Sequence, residues 1–314
     1  MLDTINTYPE TVFVAPEAGD KKVDFDFPKL QEKANYSMKL EPAYTLNEMG
    51  MAEKIQNRRG LAQQILKNAD TGEPISFHTP EYRPVENKPL HDAVERCLKG
   101  FLPPQMQSDI YHGAYVENGG AYNQLNYGIR GYSAQIQRGE FKSYLSPTII
   151  IKNASQWSVT AIVSAECSAT GNIISLGNRA AVSARHVQSF ETSFIEGQIT
   201  RMLTDFPKYV RKMQEFLKTD INIEQATNAL EMFSDISETE RQIIMEQYID
   251  VEADEMYSSK FALLQAVASY ASKPDDFPIK NSEVADNVAE TLAVRQRRLA
   301  KFASSPFFFG KAGA

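Results

Sequence analysis

Cysteine is almost absent from this chain, with only Cys97 and Cys167 present. Two thiols this far apart, with no C-x-x-C partner and no metal-ligand neighbour, cannot form a disulfide framework, so reduced, buried thiols are expected. The four histidines, His78, His91, His112 and His186, show no metal-ligand spacing. Long apolar runs are missing as well. The longest, Ile149 to Ile151 and Phe261 to Leu264, fall far short of the roughly 20 residues that cross a bilayer. The first residues, MLDTINTYPE, carry an early Asp3 and no basic stretch leading into an apolar one, which does not read as a secretory signal. A cytoplasmic protein is expected.

Catalytic signatures are also lacking. No G-x-x-x-x-G-K-[ST], G-x-G-x-x-G, H-E-x-x-H or G-x-S-x-G pattern occurs, and Gly310-Lys311 lacks the upstream glycine of a phosphate loop. The nearest approach to a nucleophile pair is Cys167 with His186, since a thiol needs a base to lower its pKa. Cys167 shares the strand parity of Trp157 and Val163, which places it on a covered face as a packing residue. His112 has core parity too. The reading is therefore non-enzymatic, with no catalytic residue, no metal and no cofactor expected.

What is present suits a folded protein. With 314 residues, 42% of them hydrophobic, the chain can bury a sizeable core in one large or two modest domains. The net charge of −7 is unevenly spread. Residues 171–218 carry seven basic and four acidic side chains, and residues 219–270 carry two basic and eleven acidic. A polyanion would be repelled by the second segment and tolerated by the first.

Pro9, Pro16, Pro28 and Pro42 mark residues 1–43 as an extended N-terminal arm. Asn47 looks like an N-cap, and Met51, Ile55, Ala62, Ile65, Leu66 and Ala69 fall on one helical stripe. The prolines between Gly72 and Leu90 predict an extended loop. A helical stripe of Leu90, Val94, Cys97, Leu98 and Phe101 then runs to Pro103-Pro104. From Asp109 the period changes to two. Ile110, His112, Ala114 and Val116 share one face, and Tyr111, Gly113, Tyr115 and Glu117 share the other. After Asn118-Gly119-Gly120, Ala121, Leu125, Tyr127 and Ile129 point one way, and Tyr122, Gln124, Asn126 and Gly128 point the other. This is a β-hairpin with one apolar face. Strands at Thr148 to Lys152, at Trp157 to Ala165 and near Asn172 to Leu176 extend the sheet.

From Ala181 onward the pattern reads as helical. One long helix is lined by Phe190, Phe194, Ile199, Met202, Phe206, Val210, Met213 and Leu217. Shorter helices are expected at Ile223 to Phe233, Ser237 to Tyr248, Asp254 to Ala271 and Glu283 to Ala303. The fold class is α+β: a mainly antiparallel sheet with a central β-hairpin, preceded by helices and followed by a helical C-terminal region. The expected division is an arm (1–43), an α+β core (44–185), a helical region (186–303) and an aromatic tail (304–314).

Three surfaces invite function. The outward hairpin face collects Tyr111, Tyr115 and Tyr122, with Arg130, Tyr132, Arg138 and Lys142 close behind, and Arg185 follows the sheet. Bases stack on exposed rings while Arg and Lys track phosphates, so this surface suits single-stranded nucleic acid. The alternative is that helices or a neighbouring subunit cover the face and the tyrosines merely pack. A second surface is the basic side of the long helix, with Arg201, Lys208, Lys212, Arg211 and Lys218, and with Arg179 and Arg185 upstream. Third, Phe307, Phe308 and Phe309 in the tail must dock on the body of the protein, a neighbouring protomer or a partner.

From about Tyr44 to Ala271 the order of elements resembles the phage/plasmid-like proteins grouped as domain of unknown function nine-three-two. Gly119-Gly120-Ala121, the segment from Tyr144 to Trp157 and the Glu166-Cys167 strand end carry the resemblance. Arg185-His186 and the Glu224 to Leu230 helix complete it. The family has no established activity, so the resemblance implies a phage or mobile-element origin and transfers no site residues. The resulting expectation is an oligomeric phage or plasmid protein that binds or anneals single-stranded DNA in replication or recombination. The alternative is a phage structural or host-interaction, anti-defence protein working through protein partners.

Overall fold

The computed structural model describes residues 13–14, 29–107, 110–155, 158–175, 181–186, 190–249, 256–273 and 288–309, without the side chains of 13, 14, 118, 181, 182, 288–293 and 309. Most of the expected N-terminal arm, Trp157, Arg179, residues 250–255 of the acidic segment and the expected helix starts at Asp254 and Glu283 lie outside the described residues.

In chain order the strands of the first part are β1 (Phe13–Val14), β2 (Met38–Pro42), β3 (Tyr44–Leu46), β4 (Ala52–Lys54), β5 (Gln64–Asn68) and β6 (Pro74–His78). The helix expected after Asn47 is therefore a set of strands. Asn47 caps a turn rather than a helix: its side-chain oxygen accepts the backbone N–H groups of Met49 and Met51 at 3.1 and 2.9 Å. Asn57 does the same for Arg59 and Leu61, and Asn68 for Asp70 and Thr71. Each turn is completed by a glycine at positive φ, Gly50, Gly60 or Gly72, where a side chain would be strained. β2, β5 and β6 form one small antiparallel sheet, from which the β3–β4 ribbon extends. The loop expected between Gly72 and Leu90 contains β6 instead, with Pro74 at its first position, where a strand tolerates a missing N–H.

Helix α1 (Asn87–Phe101) begins three residues before its expected start. Pro89 lies in its first turn, where no intrahelical donor is required. Then come β7 (Ile110–Glu117), β8 (Tyr122–Ile129), β9 (Ser133–Arg138), β10 (Phe141–Ala154), β11 (Ser158–Cys167), β12 (Ile173–Ser175) and β13 (Ala181–Arg185). β13 pairs antiparallel with β11, so the helical pattern expected from Ala181 onward gives way to a strand that includes Arg185. With β1, these strands make an eight-stranded antiparallel sheet among the described residues, centred on the β10–β11 pair. Pro147 falls inside β10 where pairing with β9 has ended at Leu145 and pairing with β8 begins at Thr148. The missing N–H is tolerated at that junction.

The helices that follow are α2 (Thr192–Lys218), α3 (Ile223–Glu231), α4 (Glu238–Gln247), α5 (Lys260–Ser272) and α6 (Val288–Ala303). Asn222 and Ser237 form capping boxes with Gln225 and Glu240 that set the starts of α3 and α4. Leu125, Tyr127, Ile129, Ile149, Ile151, Val159, Ala161, Val163 and Ala165 form the inner sheet face, which packs with Leu90, Val94 and Leu98 of α1 and Ile195, Ile199, Leu203 and Phe206 of α2. Each large side chain buried there contributes roughly 1.5–3 kcal/mol of transfer free energy. Phe194 departs from the expected stripe and is 47% exposed, because α2 starts at Thr192 and its first turn points Phe194 outward. α5 and α6 pack on each other, and α6 also lies against β12, β8 and β7.

The aromatic tail is seated on its own chain. Phe308 is buried against Phe216 and Phe302, with ring centroids 5.1 and 5.2 Å apart. The Lys260 ammonium lies 4.7 Å from the half-buried Phe307 ring and donates to the Phe307 carbonyl oxygen at 2.6 Å. Of the three docking places open to the tail, Phe307 and Phe308 take the body of their own chain and are not held out as partner-binding residues, driven by the apolar area they would otherwise expose. The Phe309 side chain lies outside the described residues. No described helix is long and apolar enough to cross a membrane.

Candidate functional site

The outer face of the large sheet follows from register. Tyr111 pairs with Gly128, Gly113 with Asn126, Tyr115 with Gln124 and Glu117 with Tyr122. β8 hands this parity to β10, where Gln124 opposes Lys152, and β10 hands it to β11, where Lys152 opposes Thr160. Thr160 in turn opposes Ser183 of β13, so Tyr115, Gln124, Lys152, Thr160 and Ser183 form one row across five strands. Lys142 and Tyr144 share the same parity toward the other end of β10, and Arg185, opposite Ser158, lies beside the row.

The predicted residues divide on this frame. Tyr115 is 38% exposed. Lys142 and Arg185 are exposed, and no described residue forms an ion pair with either. Tyr111 is half-buried, its ring lying flat over Gly128, where any Cβ would collide with it. Its hydroxyl donates to Glu166 at 3.1 Å, and the Arg130 guanidinium sits 4.6 Å over the ring while pairing with Glu166 at 2.9 Å. Burial, and then the Glu166 charge, push the Tyr111 phenol up to about 12. The Tyr111 ring is thus already engaged by Gly128 and Arg130, and Arg130 is already neutralised.

Tyr122 is half-buried with its hydroxyl sealed from solvent. Tyr132 is a correction: it is 1% exposed and packs on Phe101 and Phe206 in the inner core, because the chain turns at Gly131 and reverses its facing. Arg138 is another. It donates to the Leu217 carbonyl oxygen at 2.9 Å, pairs with Asp220 at 2.7 Å and covers the Tyr257 ring, which commits it to the C-terminus of α2. On the basic line of α2, Lys208 and Lys212 pair with Asp205 and Glu215 of the same helix, as a solvated face would.

Three residues escaped the sequence reading. Tyr144 is 38% exposed on the outer face and was discernible from β10 parity. Lys152 had the same parity signal. It is half-buried, and no described residue gives it an ion pair or hydrogen bond. Burial, and then the charge of Arg297 on α6, push its ammonium down to about 8. Arg297 carries no local signal at all, since α6 reaches this face only through tertiary packing.

The histidines and cysteines have structural partners. His78 stacks on Tyr82 with centroids 3.6 Å apart and meets Ser76 Oγ at 2.6 Å, and the Tyr82 hydroxyl lies 3.5 Å from His186 Nδ1. His91 Nδ1 meets the Tyr127 hydroxyl at 2.9 Å, and His112 stacks on the Tyr127 ring. Cys167 Sγ lies 3.1 Å from Ser143 Oγ, so Cys167 and His186 have different partners. Burial pushes the Cys97 thiol up, which favours the inert form. No cluster of three or more potential metal ligands occurs among the described residues. Set beside known protein families, curated proteins and solved structures, the chain matches none of them.

Proposed function

We propose that this chain is a phage or plasmid protein that binds single-stranded nucleic acid, in replication or recombination, across the outer face of its large sheet. One observation carries the reading: Tyr115 and Tyr144, both exposed, share that face with Lys142, Lys152 and Arg185, three cations without acidic partners among the described residues. Rings offer a stacking surface to any base, and unpaired cations gain most from a phosphate because no existing ion pair must break. The net charge of −7 does not oppose this, because local fields govern contact and residues 219–270 carry eleven acidic side chains against two basic ones.

Fluorescence anisotropy with single- and double-stranded oligonucleotides at low and high salt tests it. Tyr115→Ala is expected to weaken single-strand binding by about 1–3 kcal/mol. Removing Lys142 and Arg185 together is expected to flatten the salt dependence by roughly 0.7 per lost phosphate contact. Tyr111→Ala is expected to act on stability instead, through the Arg130 and Glu166 contacts. No binding by the intact protein, or binding unchanged in the Tyr115 and Lys142/Arg185 variants, would remove this surface from consideration.

A protein-partner reading has its own observation. The β3–β4 ribbon exposes Tyr44, Leu46, Met49 and Met51 at 52%, 71%, 77% and 55%. Such an apolar surface on an extended arm suits contact with a second copy. Arg58 and Arg59 beyond it are complementary to the acidic α3–α4 surface, where Ile223 and Met232 are also exposed. Leu46→Ser/Met49→Ser/Met51→Ser is expected to reduce the mass in solution from oligomer to monomer. An intact protein that is already monomeric at high concentration rules this contact out.

A further inference from the structure

The outer sheet face holds an electrostatic imbalance. Lys152 lies in the middle of a strand row, half-buried, with no described carboxylate or hydrogen-bond acceptor as a partner. α6 packs against β8, the neighbouring strand, and the charge that acts on Lys152 from there is another cation, Arg297. A half-buried cation that meets only like charge is held unfavourably unless an anion joins it. Directly opposite Lys152 on β8 stands Gln124, only 1% exposed. Its amide nitrogen donates to Asn126 Oδ1 at 3.1 Å, while its Oε1 is buried with no donor. A buried acceptor left unsatisfied carries a desolvation penalty that a ligand hydroxyl would remove.

We propose that Lys152, Arg297 and Gln124 form a binding site for a phosphoryl group. A phosphate monoester has the matching chemistry: anionic oxygens for the two cations, and a hydroxyl, its own or that of its sugar, to donate to Gln124 Oε1. Tyr115, paired with Gln124 on the neighbouring strand, sits where the base of a nucleotide would stack. An arriving anion would also reverse the depression of the Lys152 ammonium, so that binding and protonation reinforce each other. The proposal rests on the nucleic-acid reading only for the source of the phosphoryl group.

The test is isothermal titration calorimetry in phosphate-free buffer near neutral pH. The probes are inorganic phosphate, a nucleoside 5′-monophosphate, and one oligonucleotide with and without a 5′-phosphate. The intact protein is expected to bind phosphate and bind the monophosphate more tightly. Lys152→Met is expected to lose at least about tenfold in affinity for both. Arg297 is exposed at the surface, so Arg297→Gln is expected to keep the fold and to lose several-fold in affinity. Thermal melts without ligand separate these losses from misfolding, since Lys152→Met removes a poorly solvated charge and is expected to melt no lower than the intact protein.

The proposal is overturned if the intact protein binds inorganic phosphate and the monophosphate more weakly than about 10 mM, or if neither variant changes their affinity. If phosphate binding depends on Lys152 while no oligonucleotide binds, the site stands and the polynucleotide reading falls. If oligonucleotides bind both intact and Lys152→Met proteins equally and phosphate does not bind, the site falls and the wider surface stands. A preference for the 5′-phosphorylated strand is expected, because an internal phosphodiester of DNA has no hydroxyl to donate to Gln124 Oε1, and equal affinity with and without the 5′-phosphate would remove Gln124 from the site.

Discussion

Acidification from about pH 7 to about pH 4.5 is expected to remove several kcal/mol of folding stability, most of it through two histidines. His78 and His112 are each pushed from 6.5 down to about 4, first by burial and then by a neighbouring histidine, His186 for the former and His91 for the latter. The unfolded chain takes up these protons near pH 6.5, and the native chain only near 4. Stability is therefore complete above about pH 6.5, falls as the pH drops through that window, and levels off for these groups below about 4. At 1.36 kcal/mol per unit, each histidine contributes on the order of 3 kcal/mol. His186 is shifted in the same direction by its own burial. Urea midpoints across this range provide the measurement, and His78→Gln and His112→Gln are expected to flatten the pH slope. A midpoint that stays level between pH 7 and 4.5 in the intact protein would mean these imidazoles are solvated, contrary to their stacking on Tyr82 and Tyr127.

Phe302→Ala is expected to cost about 3–5 kcal/mol, the range for emptying a buried aromatic site. Phe302 is fully buried near the end of α6 and makes edge contacts with Phe233 and Phe308, at centroid separations of 5.6 and 5.2 Å. It thereby fixes α6 and the tail to the body of the protein. Phe194→Ala on the exposed first turn of α2 serves as the control and is expected to change stability by less than about 0.5 kcal/mol. Because α6 carries Arg297, the Phe302 variant should also weaken phosphate binding at temperatures where the protein is still folded. Equal melting temperatures for the two alanine variants would show that α6 and the tail do not dock as described.

The hairpin was legible because a period of two needs no long-range information. The parity of Ile110 to Val116 against Tyr111 to Glu117 survives intact in the observed register. The segment from Asn47 to Ala69 misled because Met51, Ile55, Ala62, Ile65, Leu66 and Ala69 happen to fall at helical spacing. The decisive signal was the recurring Asn followed by Gly three or four residues on, at Asn47–Gly50, Asn57–Gly60 and Asn68–Gly72, each a side-chain-closed turn. The apolar character of Ala181 to Arg185 suits either state, and pairing with β11 made it a strand.

The candidate site was legible only in part. Tyr115, Lys142 and Arg185 were identifiable from alternation and local charge. Tyr132 and Arg138 share their composition and neighbourhood, yet one is core and the other holds a helix end, because a turn and a distant carboxylate decided their surroundings.

From its order of residues alone, this chain determined an α+β protein with a hairpin-bearing antiparallel sheet and a helical C-terminal half, since backbone periodicity is a local property. Which sheet face is covered, which cations remain unpaired and where the aromatic tail rests were settled only in three dimensions. Those outcomes depend on α6 and α2 meeting strands far away in sequence, and burial, ion pairing and desolvation arise only at such contacts.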